Sequence, residues 1–336
     1  MTPHLSAIVC TYNPVPNLMR RCLAAIAAAQ QAAPFEVEVV LVDNNSDPPL
    51  ASLAAVAEFL RTGTRRSLVL ERRQGLTHAR LAGLGATRAP TLVFIDDDNL
   101  VAADYFVAAA EALARFPEVA VWGPGVIEIE WAAGTSRWVR GYAACFQERH
   151  VGEPSFGAVA GWPDFYPTGT GLIARRAVLA EYAVQVEAGR LDASGRKGGQ
   201  LTSGEDNQIV WTAVRRGLAA GTTPTLRLTH VIERRKATVR YVLRLVFATM
   251  ASGRIAAQQS FPDRPDLWSP PDAAKAQVGI VALALKELLL LRVRSGPVKV
   301  VRQLGDVHGQ FLAAGRPSPW LMRVAAKALG FAWGSP

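Results

Sequence analysis

Cysteine is scarce in this chain: Cys10, Cys22 and Cys145 are an odd count with no Cys-x-x-Cys spacing. That argues against a disulfide framework and a zinc site, and it points to a reducing, cytosolic setting. Long apolar runs are lacking too. The segment from Met1 to Tyr12 has no basic region followed by a long hydrophobic stretch, so no signal peptide is expected. The apolar stretch from Gly279 to Leu291 contains Lys286 and Glu287 and is too short to span a bilayer. Internal repeats and low-complexity tracts are likewise missing, which removes solenoid and fibrous architectures. What is there is 336 residues, 50% hydrophobic and 19% charged, a balance that fits a globular chain of one large domain or one domain with an appendage.

The formal net charge of +9 is unevenly placed. Residues 1–233 hold 21 Lys and Arg against 23 Asp and Glu, a net of −2, whereas residues 234–336 hold 16 against 5, a net of +11. A basic surplus confined to the C-terminal third suits an anionic surface, either membrane lipid or nucleic acid.

From Leu5 to about Pro124, short apolar runs alternate with helical patterns, which is the signature of βαβ units and a mostly parallel sheet. Strands are expected at Leu5–Cys10, Val37–Val42, Leu68–Glu71, Thr91–Ile95 and Val119–Trp122, with helices at Asn17–Gln30, Pro49–Arg61, Leu76–Ala89 and Ala103–Phe116. The rhythm is lost from Gly123 to Tyr166, a stretch rich in Trp and Tyr. It resumes with a strand at Gly171–Arg175, a helix at Ala177–Glu187, a Gly- and Lys-rich loop at Asp192–Gly204, a helix at Glu205–Arg216 and a strand at Thr225–Thr229. Beyond that the chain reads as all helical. In open α/β sheets ligands sit beyond the carboxyl ends of strands, so the polar clusters after the first, second and fourth strands are expected to share one crevice.

The densest of these clusters is Asp96-Asp97-Asp98, directly after an apolar strand. Acids packed this closely repel one another unless a cation is near. Hard oxygen donors on alternate residues suit Mg²⁺ or Mn²⁺, which would neutralise a substrate diphosphate. The plainer alternative is a helix start with acids in its first turn, favoured by the helix dipole.

Three segments in order, Ser6-Ala7-Ile8-Val9-Cys10-Thr11-Tyr12-Asn13, Val42-Asp43-Asn44-Asn45-Ser46 and Phe94-Ile95-Asp96-Asp97-Asp98, resemble the motifs of family-2 glycosyltransferases of the GT-A fold. The resemblance covers roughly residues 5–235. It implies a Rossmann-like, mostly parallel central sheet flanked by helices, an inverting reaction and a metal, Mn²⁺ or Mg²⁺. Residues 236–336 then form a basic, helical C-terminal region outside the transferase domain 1–235. By the same resemblance Thr11, Tyr12, Asn13, Asp43 and Asn45 belong to the nucleotide pocket, with Asp43 receiving the base edge, as a carboxylate can from a uracil N–H. Asp96 and Asp97 contact the nucleotide-sugar, and Asp96 and Asp98 hold the metal.

Gln74-Gly75-Leu76-Thr77-His78-Ala79-Arg80 resembles the family segment whose arginine faces the nucleotide, a place where a permanently charged fork suits diphosphate oxygens. The family often has Asn one position later, where this chain has Leu81. Gly204-Glu205-Asp206-Asn207 resembles the family's Glu-Asp motif beside the acceptor, which makes Asp206 the candidate general base and Glu205 the second choice. His230, 24 residues on, resembles a metal-ligating histidine, for which a neutral imidazole is suited. Pro167-Thr168-Gly169-Thr170-Gly171 resembles the small-residue segment under the donor sugar, and Gly169 is assigned there because glycine lets backbone approach a ligand closely.

In the C-terminal third, Val239, Val242, Leu243, Val246, Phe247 and Met250 recur at helical spacing with Arg240, Arg244 and Arg254 among the polar positions. Together with the stretch from Gly279 to Leu291, this suggests a region that lies on an anionic membrane rather than crossing it, peripheral at the inner face of the cell membrane. A helical cap with a solvated basic face is the alternative. The expected partners are a nucleotide-sugar donor, with a UDP-sugar favoured, and a glycan or lipid-linked acceptor. Nucleic acid is not expected, because residues 1–233 are slightly acidic. A sugar-1-phosphate nucleotidyltransferase would carry a Gly-rich phosphate loop straight after the first strand, and Thr11-Tyr12-Asn13-Pro14 offers none. A non-catalytic sugar-nucleotide or nucleic-acid binding protein would have no need of the full set of candidate ligands and base.

Overall fold

The structure is a computed structural model that describes residues 4–191, 201, 204–292 and 294–331. Most of the Gly- and Lys-rich segment, residues 192–200, 202 and 203, lies outside the described residues. The first half is an alternating α/β run: β1 (Leu5–Thr11), α1 (Pro16–Ala32), β2 (Val37–Asp43), α2 (Ala54–Thr62), β3 (Arg66–Leu70), α3 (Leu76–Ala86), β4 (Thr91–Asp96), β5 (Asn99–Val101) and α4 (Tyr105–Arg115). Then follow β6 (Val119–Trp131), α5 (Arg137–Arg140), β7 (Arg149–His150), β8 (Ser155–Gly157), β9 (Ile173–Arg175), α6 (Arg176–Glu187), α7 (Glu205–Arg215) and β10 (Ala219–Ile232). The helices α8 (Val239–Ser260), α9 (Ala273–Leu289), α10 (Gly296–Ala313) and α11 (Trp320–Ala328) complete the described chain.

The strands form one sheet in the order β3-β2-β1-β4-β9-β6-β10-β5, with β7 beside β6 and β8 beside β10. On the β3-to-β4 side every pairing is parallel, while β9 runs antiparallel to both β4 and β6. Every residue of β1 is buried, as a strand covered on both faces must be. Its side chains alternate between two layers. Ala7 and Val9 join Val39, Leu41, Val93 and Ile95 in a core with Ile26 of α1 and Phe106 of α4. Ile8 and Cys10 join Val40, Val42 and Phe94 in a second core with Ala79 of α3 and Trp211 of α7. Helices on both faces of a mostly parallel sheet are the α/β architecture expected from the alternating pattern.

Four expectations are corrected. The segment Pro49–Arg61 is not one helix but a 3₁₀ turn at Leu50–Ser52 followed by α2. The strand after Val119 does not stop at Trp122: it runs on to Trp131, where Ile127 faces the core and Glu128 and Glu130 alternate outward. Glu130 is held there by Arg21 in a bidentate pair at 2.7 and 2.6 Å. The strand near Thr225 extends from Ala219 to Ile232, crossing Pro224 at an irregularity in its register with β6, the place where a proline is tolerated in a sheet. The fourth correction concerns α8, whose apolar stripe faces protein: Val242, Val246 and Phe247 are buried. There they join cores with Phe311 and Val298 of the later helices. Trp138 Nε1 and Tyr142 OH both donate to the Arg294 carbonyl, at 3.0 and 2.8 Å, fixing the loop after β6 to the C-terminal helices.

Candidate active site

The carboxyl ends of β1, β2 and β4 open on a cavity of about 950 Å³, closed on the far side by α7 and α8. Thr11, Tyr12, Arg80, Asp96, Asp97, Asp98, Gly169, Glu205, Asp206 and His230 all line it. Ten candidate residues scattered over 220 positions of sequence thus share one space. Asn13, Asp43 and Asn45 do not line it. Asn13 and Asn45 instead shape the loop beneath: both have left-handed backbone, φ 50° and 66°, and the Asn13 side chain accepts from the Asp47 amide at 2.8 Å. Asp43 is buried, and its two carboxylate oxygens accept the backbone amides of Ser46 and Leu50, each at 2.8 Å. Its charge is spent on holding that loop, so a base edge would have to share these oxygens.

Asn44, which the sequence reading passed over, does line the cavity. Its amide nitrogen donates to the carbonyls of Glu71 and Arg73, and its oxygen accepts from the Gly75 amide at 2.8 Å. This one side chain ties the end of β2 to the start of α3 and so sets the helix that carries Arg80. Arg80 is buried, 3.9 Å from Glu205 and above the Phe94 ring. Its Nη1, the atom nearest Glu205, is buried and makes no hydrogen bond among the described residues, so a donor there is left for a closer acceptor.

The acidic cluster forms the turn from β4 into β5, not a helix start. Thr11 donates to Asp97 across the end of β1. Burial and the neighbouring Asp98 push the Asp97 carboxyl up to about 7. Asp98 goes the other way. Burial alone would raise it, but His230 and Lys236 outweigh that and hold its carboxyl well below the usual range. Lys236 Nζ lies 2.5 Å and His230 Nε2 3.5 Å from the same oxygen, Asp98 Oδ2. Burial lowers Lys236 and His230 as well, and the Asp98 charge more than restores both. Lys236 is a site residue that sequence reasoning missed. Its only sequence signal was its place in the basic run Arg234-Arg235-Lys236 after β10.

Asp96, Asp98 and His230 offer the oxygen and nitrogen donors that Mn²⁺ or Mg²⁺ accepts. His230 Nδ1 lies 2.8 Å from the Phe146 carbonyl. That acceptor fixes the proton on Nδ1 and turns Nε2 toward Asp98, the orientation metal-binding histidines take. A protein cation already stands at Asp98 in the form of Lys236. In donor type Asp98 and His230 suit a divalent ion, which would compete with Lys236 for the same carboxylate oxygen. The full three-ligand set is not assembled, however: among the described residues, no three His, Cys, Asp or Glu side chains converge on one point. Lys236 occupies one side of the Asp98 carboxylate.

Opposite the acids, Asp206 sits in the first turn of α7, where Oδ2 accepts the Gly169 amide and Oδ1 the Asn207 amide, both at 2.9 Å. Burial and the adjacent Glu205 raise its carboxyl above the ordinary value, against the pull of Arg80 and the two amides. A carboxylate so raised is better matched to take a proton near neutral pH. Glu205 is more deeply buried and folds back on the Gly204 amide at 3.0 Å. A Cβ added at Gly169 would lie 2.8 Å from Arg80 Nη2, so a side chain there has to displace that guanidinium.

Comparison with known proteins agrees with the class of site that this geometry defines. Residues 3–248 match the model of the family described as glycosyltransferase like family 2. The chain belongs to that family. An N-acetylglucosaminyltransferase of Rhizobium meliloti (strain 1021) is 27% identical over 170 residues, which make up 47% of this chain and 37% of that protein. Among solved structures, GalNAc-T7 with UDP, GalNAc and Mn²⁺ is 14% identical, covering 79% of this chain and 54% of that one, with a TM-score of 0.48. Staphylococcus aureus TarS is 15% identical, covering 91% and 55%, also with a TM-score of 0.48. The chain thus spans little more than half the length of these structures and about a third of the curated relative.

Proposed function

We propose that this protein transfers a sugar, with inversion, from a nucleotide-diphosphate sugar to an acceptor hydroxyl. A UDP-sugar is the favoured donor, a glycan or lipid-linked molecule the acceptor, and cell-surface polysaccharide or glycolipid synthesis the setting. Residues 1–235 act as the transferase domain and residues 236–336 as its helical extension, at the inner face of the cell membrane. The observation that carries the reading is the position of Asp206 on the same cavity as Arg80 and the β4 acids, with its carboxyl raised and anchored on the Gly169 amide.

In this reading Thr11, Tyr12 and Asn44 bound the nucleotide side. The Arg80 nitrogen that makes no hydrogen bond meets a phosphate oxygen, and Gly169 passes beneath the sugar. Asp206 accepts the proton of the acceptor hydroxyl as that oxygen bonds to the anomeric carbon. The bond from that carbon to the donor phosphate oxygen breaks on the opposite face, and the nucleoside diphosphate leaves with the electron pair. Where Mn²⁺ or Mg²⁺ is bound, Asp98 and His230 with Asp96 would hold it, and it would neutralise the leaving diphosphate. Lys236 and Arg80 supply positive charge from the chain itself. The test is nucleoside-diphosphate release across UDP-, GDP- and dTDP-sugars, with and without Mn²⁺. Release is expected from one nucleotide class and lost in Asp98→Ala and Asp206→Ala, whereas full transfer by both variants would overturn the reading.

A further inference from the structure

The C-terminal helices carry an apolar face that the protein core leaves uncovered. On α9, Val278, Val281, Leu285 and Leu289 follow one another at spacings of three and four residues, hence on one face of the helix, and they are 49% to 82% exposed. The opposite face of α9 is buried through Ile280 and Glu287. Glu287 is satisfied by Arg292 and Lys299, so α9 is anchored and its orientation is set. Beside it, α11 exposes Trp320 and Val324, one turn apart. The Leu321 amide donates to Gln277 of α9 at 3.3 Å, which makes the two exposed strips neighbours. Beside the α9 strip lies a groove of about 250 Å³ lined only by apolar residues, Leu285 and Leu288 of α9 on one side and Val300 and Leu304 of α10 with Leu321 of α11 on the other. Just past α9, Leu291 is held with φ 51° and is 78% exposed. A bulky residue in that conformation is uncommon, and here it adds one more outward leucine.

Contiguous exposed apolar residues of this kind are a mark of an interaction site, and the charges beside them decide which kind. Lys275 and Lys286 are exposed on the rim of the α9 strip, with Arg323 and Lys327 on α11. Residues 234–336 carry a net +11. Apolar residues in one strip, basic residues along its edge and an exposed Trp are the features of a helix lying in the headgroup layer of an anionic bilayer. No described helix is long and apolar enough to cross one.

We infer that the α9–α11 face is the surface by which this protein docks on an anionic lipid bilayer, the leucines of α9 entering the acyl region and the groove receiving an acyl chain. This deepens the proposed location at the membrane but does not rest on the catalytic reading. It also moves the contact away from α8, whose apolar stripe is buried in the protein.

The test is flotation of the full chain with vesicles of phosphatidylcholine alone and of phosphatidylcholine mixed with phosphatidylglycerol. The wild type is expected to float with the anionic vesicles, and Leu285→Glu combined with Leu289→Glu to lower the bound fraction at least about tenfold. Lys275→Gln with Lys286→Gln is expected to weaken binding about fivefold per charge removed, on the anionic vesicles only. All four positions are exposed, and unchanged near-ultraviolet circular dichroism and nucleoside-diphosphate binding show that the fold and the nucleotide site survive. A wild type that floats with neither vesicle overturns the inference. So does a wild type that is dimeric in solution and made monomeric by the Leu285→Glu, Leu289→Glu pair without any flotation, since the face would then be an interface between copies of this chain. Either outcome leaves the catalytic reading untouched, because that reading is tested by nucleoside-diphosphate release.

Discussion

The two walls of the cavity are built by different physics. The wall formed by the ends of β1, β2 and β4 and the start of α3 is polar, and most of its side chains are already committed. Thr11 is bound to Asp97, Asn44 to three backbone groups, and Asp98 to Lys236 and His230. The facing wall, from α7, α8, the turn after α8 and the loop before β9, is largely aromatic and aliphatic, with Trp162, Trp211, Tyr241, Met250 and Leu267 interrupted by Arg244 and Arg254. A wall of pre-committed hydrogen bonds is rigid and selects one charged, well-defined ligand. A wall of flat rings and long side chains tolerates variation in what it holds. The contrast suits a fixed nucleotide on one side and a partly apolar acceptor on the other.

The sharpest way to break this contrast is at the group that reaches across it. Asp206→Asn is expected to lower kcat by about 10² to 10⁴ while leaving donor affinity, measured by calorimetry with the nucleoside diphosphate, near the wild-type value. Because the Asp206 carboxyl is raised and must be deprotonated to act, activity should climb with pH through a limb lying above the ordinary Asp value of about 3.9. Loss of that limb in the Asn variant checks the assignment, and an unchanged profile would remove Asp206 from the role. A smaller effect is expected from Gly169→Ala. The new methyl would meet Arg80 Nη2, and displacing that guanidinium should raise the donor KM about tenfold, the worth of roughly 1.4 kcal/mol, with little change in acceptor KM. Smallest is Trp162→Ala, for which the loss of one ring contact, about 0.5–1.5 kcal/mol, predicts a few-fold rise in acceptor KM alone. Should donor and acceptor KM rise together in the Trp162 variant, the two walls do not divide the substrates as described.

The sequence made the polar wall far more legible than the apolar one. Thr11 and Asp96 to Asp98 stand at strand ends, where an α/β pattern predicts ligands and the pattern itself is local, whereas Arg80, inside α3, was legible only through the family resemblance of its segment. The signal was weaker where local chemistry had two uses. Asp43 and Asn45 look like ligands in sequence, yet amides seven residues away or fewer consume the Asp43 carboxylate, while Asn45 supplies a left-handed turn. Lys236 and Asn44 show the converse. Nothing next to Lys236 in the chain says that Asp98, 138 positions earlier, is its partner. The continuation of β6 was readable in principle, since Val126-Ile127-Glu128-Ile129-Glu130-Trp131 alternates with period two. It was obscured by Gly123-Pro124-Gly125 at its centre. The outward face of α9 could not be read from sequence, because α8 and α9 have similar apolar stripes and only packing decides which is covered.

The placement of β10 carries a consequence for how the site comes into being. It is the last strand among the described residues, yet it lies inside the sheet between β6 and β5. β5, the strand that follows the acidic turn, pairs with β10, His230 standing opposite Asn99, and the Val231 amide bonds to the Asp98 carbonyl. During synthesis β1 to β4 can assemble as soon as they emerge, but the turn that bears Asp98 has no strand to rest against until some 130 further residues have been made. Long-range pairing of this sort is slow and comes late. The candidate site is therefore among the last parts of the molecule to take shape, and a chain halted before β10 would fold β1 to β4 without bringing His230 to the acidic turn.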